Sequence, residues 1–447
     1  MICLKRRLGT TLPYIMHSFE YRNGSLFCEN VDLAQLAAQT GTPAYVYSAA
    51  TILDHYRRLD EALADVPHLI CYAVKANSNL AILNLLAKEG AGFDIVSGGE
   101  LFRVAKAGGN PAQCTFAGVG KTEAEIRDAL QRGILAFNVE SEAELEQINR
   151  VASSMGVRAP VAVRVNPNVD AHTHAYISTG KSENKFGIAF ERVAAVYEAA
   201  SKLPHLHLRG VQMHIGSQIT ESGPFAEAVN KMLPLVCELK ALYGIEYFSI
   251  GGGMGIVYDP TLASGAAGWW KSQAAEGTLT VAEYAAAVVP KLKSLGLKIL
   301  VEPGRFMVGN AGVLLTRALY VKPSETKKFV IVDAGMNDLI RPALYQSFHE
   351  IVPVAEPAPQ SAPEKVDIVG PVCESGDFFA QDRELPPLAA GDLLAVMSAG
   401  AYGATMASTY NSRPLLPEIL VQGDQSAIIR RRQTPEDMVR DESLPQW

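Results

Sequence analysis

The stretch Cys71-Tyr72-Ala73-Val74-Lys75-Ala76-Asn77-Ser78-Asn79 decides how the rest of the chain is read. His68 to Val74 is a short apolar run of the length and texture of a buried strand, and Lys75 stands where it stops. Ala76 to Asn79 then supplies turn and helix-capping chemistry. A lysine in that place faces a desolvation penalty, which predicts a depressed pKa and a nucleophilic amine able to condense with carbonyls. An arbitrary strand-end lysine more often reaches back to solvent along its aliphatic stem. The neighbouring motifs therefore decide between the two readings.

Working outward, short apolar runs alternate with helix-period segments from about residue 45. The candidate strands are Leu69–Val74, Gly92–Val96, Cys114–Ala117, Leu135–Val139, Val161–Val165, Leu208–His214, Tyr247–Ile250 and Ile299–Glu302. Ser97, Thr122 and Ser141 stand where helix caps belong. Near-continuous apolar strands alternating with helices predict a parallel sheet covered on both faces. Eight such units match a closed (β/α)8 barrel of the TIM type better than an open doubly wound sheet. No Gly-x-Gly-x-x-Gly follows the first strand, so a dinucleotide fold has little support.

After about residue 311 the texture changes to strands joined by loops: Val313–Val321, Lys328–Val332, Val366–Ile368, Asp392–Met397 and Ile419–Val421. The fold class is thus α/β, a barrel over residues 46–311 with a β-rich second domain over 312–447. Residues 16–45, with strand-like Phe19 to Leu26, are expected to join that second domain, and residues 1–15 to be a disordered extension. The small-residue segment Ser264 to Gly277, carrying Trp269 and Trp270, is expected to be a surface loop.

Of the 447 residues, 48% are apolar, and the net charge of −7 is spread along the chain. That distribution excludes the clustered basic face of a nucleic-acid binder. No apolar run is long enough for a membrane span, and Thr10, Thr11 and Pro13 interrupt any secretory core after Lys5-Arg6-Arg7. Six scattered cysteines without a Cys-x-x-Cys pair read as free thiols of a reducing, cytoplasmic compartment, and no metal-ligand spacing is present.

In a barrel of this kind chemistry sits at the C-terminal ends of the strands, and the distinctive residues fall there repeatedly. Strand one ends in Lys75 and strand six in His214-Ile215-Gly216-Ser217-Gln218. Strand seven runs into Gly251-Gly252-Gly253, and strand eight into Glu302-Pro303-Gly304-Arg305. Each has a use toward a phosphorylated aromatic aldehyde. The glycines let backbone N–H groups approach a phosphate, although a lone triplet is more often a tight turn. Gly304, Arg305 and the Ser217 hydroxyl add donors. Glu302 can keep a pyridine nitrogen protonated. His214 can stack on the ring, its plain alternative being a buried structural histidine.

Tyr-Ala-Val-Lys-Ala-Asn at residues 72–77, the His-Ile-Gly-Ser-Gln element, the Gly triplet and Glu-Pro-Gly-Arg resemble, in order, the motifs of the barrel-type pyridoxal-phosphate decarboxylases. Asn184-Lys185-Phe186-Gly187-Ile188 and Phe93 to Glu100 fit the same family, and the resemblance runs from about Phe19 to Arg432. It implies the alanine-racemase-like fold, type III among pyridoxal-phosphate folds, with pyridoxal 5′-phosphate carried on Lys75. Asp338 to Tyr345, Gly370 to Asp377 and Gly400 to Gly403 look like the diaminopimelate decarboxylase branch. In ornithine-type relatives the residue after the cysteine is usually Asp rather than Glu374, and the Arg-Pro-x-x-Tyr element of Arg341 and Tyr345 is absent.

Charge complementarity points the same way. Arg305, Arg341 and Tyr345 suit a distal carboxylate and Glu374 a distal ammonium, so a small amino-acid substrate with two carboxylates is favoured. The resemblance further implies decarboxylation of meso-2,6-diaminopimelate to L-lysine, with Tyr402 near the cofactor. It implies a homodimer in which Cys373, as proton donor, and Glu374 reach the neighbouring subunit's site. Residues alone would make Cys373 a buried thiol and Tyr402 a core aromatic. Decarboxylation of ornithine, arginine or carboxynorspermidine on the same scaffold, and a silent regulatory homologue, stay open as alternatives.

Overall fold

A computed structural model describes residues 15–170 and 185–447. Residues 1–14, most of the expected extension, and Asn184 lie outside the described residues. Eight parallel strands close into a barrel: His68–Ala73, Gly92–Ile95, Cys114–Phe116, Ala136–Val139, Ala159–Asn166, Leu206–Met213, Tyr247–Ser249 and Lys298–Val301. The last strand closes on the first through the register Ile299 with His68 and Val301 with Ile70. Each candidate strand of the sequence reading corresponds to one of these, within a residue or two at its ends.

The helices between them start where capping chemistry predicts. The Ser97 hydroxyl accepts from the Glu100 N–H, and Thr122 and Glu125 form a reciprocal capping box. Along each strand side chains alternate between the helix layer and the barrel interior. Leu69, Cys71, Ala136, Ala162, Tyr247 and Leu300 form a separate apolar cluster that fills the interior. Position 210 is glycine because a Cβ there would lie 2.6 Å from the Tyr247 ring. The base of the barrel is therefore packed shut, and only its C-terminal mouth is left for ligands.

The second sheet runs in the order Phe378–Leu385, Glu364–Val369, Lys328–Val332, Gly312–Pro323, Ala44–Ser48, Glu418–Gln422 and Gln425–Arg430. Leu393–Val396 also pairs with Gly312–Pro323 and with Ile351–Pro353. Ala44–Ser48 crosses the expected junction at residue 45, antiparallel to Gly312–Pro323 and parallel to Glu418–Gln422. All five of its residues are buried, and it is not among the strands expected from sequence. Phe19, Leu26 and Cys28, from the small hairpin before it, pack with Val313, Leu315 and Val352 of this sheet.

The segment Ser264 to Gly277 lies at the surface as expected, with eight of its fourteen residues exposed, but it is anchored. It forms two short 3-10 turns, Trp269–Lys271 and Gln273–Ala275, and Trp269 is buried against Met16, Val257 and Ala275. The composition of small residues hid an anchor, because one indole among alanines is enough to seat the segment. Among the described residues no helix is long and apolar enough to cross a membrane, and no cluster of His, Cys, Asp or Glu could hold a metal.

Candidate active site

Lys75 leaves the end of the first barrel strand on a single 3-10 turn, Val74–Ala76, which swings its amine over the barrel mouth. There its Nζ donates to Asp94 Oδ2 at 2.9 Å. Burial is the largest single effect and pulls the amine's pKa down, but Asp94, Tyr402 and Glu302 together outweigh it, and the net direction is upward. The expected depressed pKa is thus overturned. The main reason is a carboxylate on the penultimate residue of the neighbouring strand, on the inward face, which pairs with the amine and offsets much of its desolvation.

Beneath the amine lies a polar tier. Glu302 Oε1 accepts from the Ser249 hydroxyl at 2.7 Å, and its Oε2 accepts from Gln212 Nε2 at 2.9 Å. Burial, reinforced by the nearby Asp94 charge, raises the Glu302 pKa to about 7, against the pull of those two hydrogen bonds. Among the described residues no cation forms an ion pair with it. Gln212 Oε1, Asn138 Oδ1 and Asp94 Oδ1 are buried here without a partner.

His214 is oriented by the backbone that follows strand seven: its Nδ1 accepts from the Gly252 N–H at 3.2 Å. Burial and the Arg164 charge push its pKa far below the ordinary value, so the imidazole is neutral. Gly251 and Gly253 have φ of +73° and +107°, in the left-handed region. A Cβ at Gly252 would run into the Glu302 carbonyl oxygen. All three glycines are needed for the loop to fold back against strands six and eight.

Two guanidiniums close the opposite side. Arg305 donates from Nη1 to the Tyr258 hydroxyl at 2.6 Å and from Nη2 to Ser217 Oγ at 3.1 Å, while its Nε is buried without a partner. Its charged carbon lies 5.0 Å from the centre of the Tyr402 ring. Arg341 lies over Tyr258 and Tyr345, at 5.4 and 5.9 Å. Both arginines are 5% exposed, and neither forms an ion pair with a carboxylate among the described residues. Burial lowers the Arg341 pKa. Two unpaired cations facing one space make it an anion site.

These groups surround a cavity of about 210 Å³. Of the residues expected at the site, Lys75, His214, Ser217, Gly253, Glu302, Gly304, Arg305, Arg341, Tyr345 and Tyr402 line it. Gly251, Gly252 and Pro303 do not, and act through the backbone that shapes it. Tyr402, with φ +56°, is fastened to the mouth by its N–H to the Ala76 carbonyl, not sunk in a core. Cys373 and Glu374 are exposed and lie off the cavity, Glu374 accepting from the Tyr410 hydroxyl at 2.5 Å. The reading of Cys373 from residues alone as a buried thiol is therefore corrected.

Asp94, Arg164 and Gln212 also line the cavity and were not singled out from sequence. A signal was available. Each is a polar side chain inside an otherwise apolar strand, in step with the alternation that points inward. Arg164 is held by Glu140 at 3.0 Å, and Glu140 also accepts from the Gly118 and Gly187 N–H groups. A larger surface cavity of about 620 Å³, lined by Arg58, Trp270 and Glu283 among others, lies away from all of this chemistry.

The donor set fits a flat heterocycle with an anionic arm. A buried carboxylate without a cation suits a protonated ring nitrogen, and the neutral His214 offers an aromatic face. At Gly304 a Cβ would sit 3.1 Å from Ala73 Cβ and 3.3 Å from the Tyr402 hydroxyl, so only glycine leaves that cradle open. Arg305, the next residue, keeps a buried Nε without a partner.

Comparison with known proteins agrees. The sequence pattern of the family described as pyridoxal-dependent decarboxylase, pyridoxal binding domain, matches residues 49–309. The diaminopimelate decarboxylase of Pseudomonas aeruginosa is 51% identical over 96% of this chain and 99% of its own length. That of Vibrio cholerae is 50% identical over 94% and 97%. The crystal structure of diaminopimelate decarboxylase from Helicobacter pylori complexed with L-lysine superposes with a TM-score of 0.85 at 42% identity, covering 92% of this chain and 98% of that one.

Proposed function

This chain belongs to the pyridoxal-dependent decarboxylases and, within them, to the diaminopimelate decarboxylases, and from that premise we propose how its residues divide the work. The reaction is the decarboxylation of meso-2,6-diaminopimelate to L-lysine and carbon dioxide. When bound, pyridoxal 5′-phosphate supplies the electron sink that accepts the bonding pair as carbon dioxide leaves.

Lys75 carries the cofactor through its amine, and Asp94 holds that amine in place. Glu302, steadied by Ser249 and Gln212, keeps a proton at the pyridine nitrogen. His214 supports the ring face with its neutral imidazole. The backbone N–H groups of Gly253 and Gly304, the Ser217 hydroxyl and Arg305 bind the phosphate. Arg341 and Tyr345, with Arg305, take the carboxylate that is kept, and Tyr402 closes the mouth between the two ends.

Among the described residues no thiol lines the cavity that holds Lys75. Cys373 and Glu374 are exposed on a loop outside it, which supports a homodimer in which each loop completes the neighbouring site. There Cys373 would return the proton at the α-carbon, and Glu374 would take the distal ammonium.

The observation that carries the substrate assignment is the pair of buried arginines without carboxylate partners, Arg305 and Arg341, on the cavity that holds Lys75. A diamine precursor such as ornithine has no carboxylate at its far end, so it offers these cations no anion that survives decarboxylation. Carbon dioxide release should therefore be fastest with meso-diaminopimelate, and lysine should be its product. Comparable turnover of ornithine, arginine or carboxynorspermidine would reject the assignment.

A further inference from the structure

Among the described residues, Arg341 is held at the cavity wall by neutral groups only. Its Nε donates to His349 Nε2 at 3.3 Å, and its Nη2 donates to Ser347 Oγ at 3.3 Å. His349 is fully buried and makes its other contact through Nδ1 to the Met397 carbonyl oxygen at 2.8 Å. A carbonyl only accepts, so Nδ1 carries the proton and Nε2 presents a lone pair to the guanidinium. The ring also meets Tyr258 edge-on, centres 5.2 Å apart, and the Tyr258 hydroxyl accepts from Arg305. His349 thus joins both arginines of the site into one array without lining the main cavity itself.

We propose that His349 is a positioning residue: its neutral Nε2 fixes Arg341 toward the cavity while leaving the guanidinium's charge whole for the carboxylate of the substrate. A carboxylate in its place would fix the arginine equally well but would neutralise it before substrate arrives. A protonated imidazole would turn Nε2 into a donor and push the guanidinium away. Burial and the nearby charges of Arg341, Arg305 and Arg383 hold the His349 pKa down at about 3, which keeps the acceptor in place at working pH. The inference rests on the reading of Arg341 as the residue that binds the retained carboxylate.

The test compares His349→Gln with His349→Glu, two side chains of nearly equal shape that differ in the charge of the acceptor. L-lysine, the product, keeps that carboxylate, so its inhibition constant reports on Arg341 without turnover. His349→Gln should bind L-lysine within about threefold of wild type, and His349→Glu should lose about tenfold or more. His349→Leu, which removes the acceptor, should also raise the L-lysine inhibition constant and KM about tenfold, with kcat within about threefold. Cofactor affinity, titrated into each apoenzyme by fluorescence, should stay within about twofold of wild type.

Equal L-lysine affinity in the Gln and Glu variants would overturn the proposal. So would parallel loss of L-lysine and cofactor binding, which a merely structural role predicts. Arg341→Ala is the control. If it weakens L-lysine binding while His349→Glu does not, His349 is not the positioning group. If Arg341→Ala itself leaves L-lysine binding unchanged, the reading of Arg341 falls, and this inference with it.

Discussion

At the barrel mouth, Lys75, Asp94 and Glu302 stand within one cavity, each seated by hydrogen bonds from neighbouring strands. On the loop of the second domain, Cys373 and Glu374 are exposed, and their hydrogen-bond partners, Asn411 and Tyr410, are exposed as well. The first group is complete within one chain: the ends of strands one, two and eight contribute it, and burial shifts the charges. The second has the chemistry of a site but no cavity around it. Groups that position a cofactor can thus be organised by one fold, whereas the groups on the loop acquire surroundings only if a second surface covers them.

The sharpest way to break this contrast is to remove the amine. Lys75→Ala should lower activity by about a thousandfold or more, because no other cavity lysine can replace it. Borohydride reduction followed by peptide mapping should place the pyridoxyl group on Lys75. Its recovery on Lys121 or Lys185 would show that the barrel mouth has been misread.

Cys373→Ser comes next. If the thiol delivers the proton, kcat should fall about a hundredfold with cofactor binding unchanged, since a hydroxyl is a far weaker acid. Mixing inactive Cys373→Ser and Lys75→Ala chains should restore about a quarter of the wild-type activity, because random re-pairing gives heterodimers in about half the population and each repairs one site of two. Heterodimers verified with tagged subunits that show no activity would place the cysteine in its own chain's site and erase the contrast.

Arg341→Ala tests the distal end. KM for diaminopimelate should rise about tenfold to a hundredfold while cofactor affinity holds, the signature of a lost buried charge-assisted contact. An unchanged KM would move substrate recognition elsewhere.

The smallest effect concerns pH. The Glu302 pKa is raised from the ordinary 4.5 to about 7 by burial, so the folded apoenzyme holds this proton more tightly than the unfolded chain. Its contribution to stability is fully present below about pH 4.5 and is lost as pH rises through about 7. Urea unfolding of the apoenzyme at pH 5 and pH 8 should therefore show a pH-dependent loss that is smaller in Glu302→Gln by about 2 kcal/mol. Equal losses in both proteins would mean that Glu302 is already ionised in the fold.

The eight barrel strands were legible in sequence because burial on both faces leaves an unbroken apolar run, a local signal. The site residues at strand ends were legible for the same reason, since the residue that ends a run is where the chain meets the barrel mouth. Asp94 and Gln212 were overlooked because they interrupt a run from within, and an inward polar residue looks the same in sequence as a tolerated exception. The expected boundary at residue 45 cuts through Ala44–Ser48, and only pairing with Gly312–Pro323 and Glu418–Gln422 assigns the whole strand to the second sheet.

By itself, then, the sequence determined the alternation of strands and helices, the order of the strand-end motifs and the kind of ligand they suit. Those depend on residue type and on spacing along the chain. Tertiary structure decided the state of Lys75, the burial of Trp269, the seat of Arg341 on His349 and the distance of Cys373 from the cavity. Each of these depends on groups far apart in sequence. For Lys75 even the direction of the pKa shift is a balance, desolvation against the combined pull of Asp94, Tyr402 and Glu302, and only the fold brings those three groups to the amine.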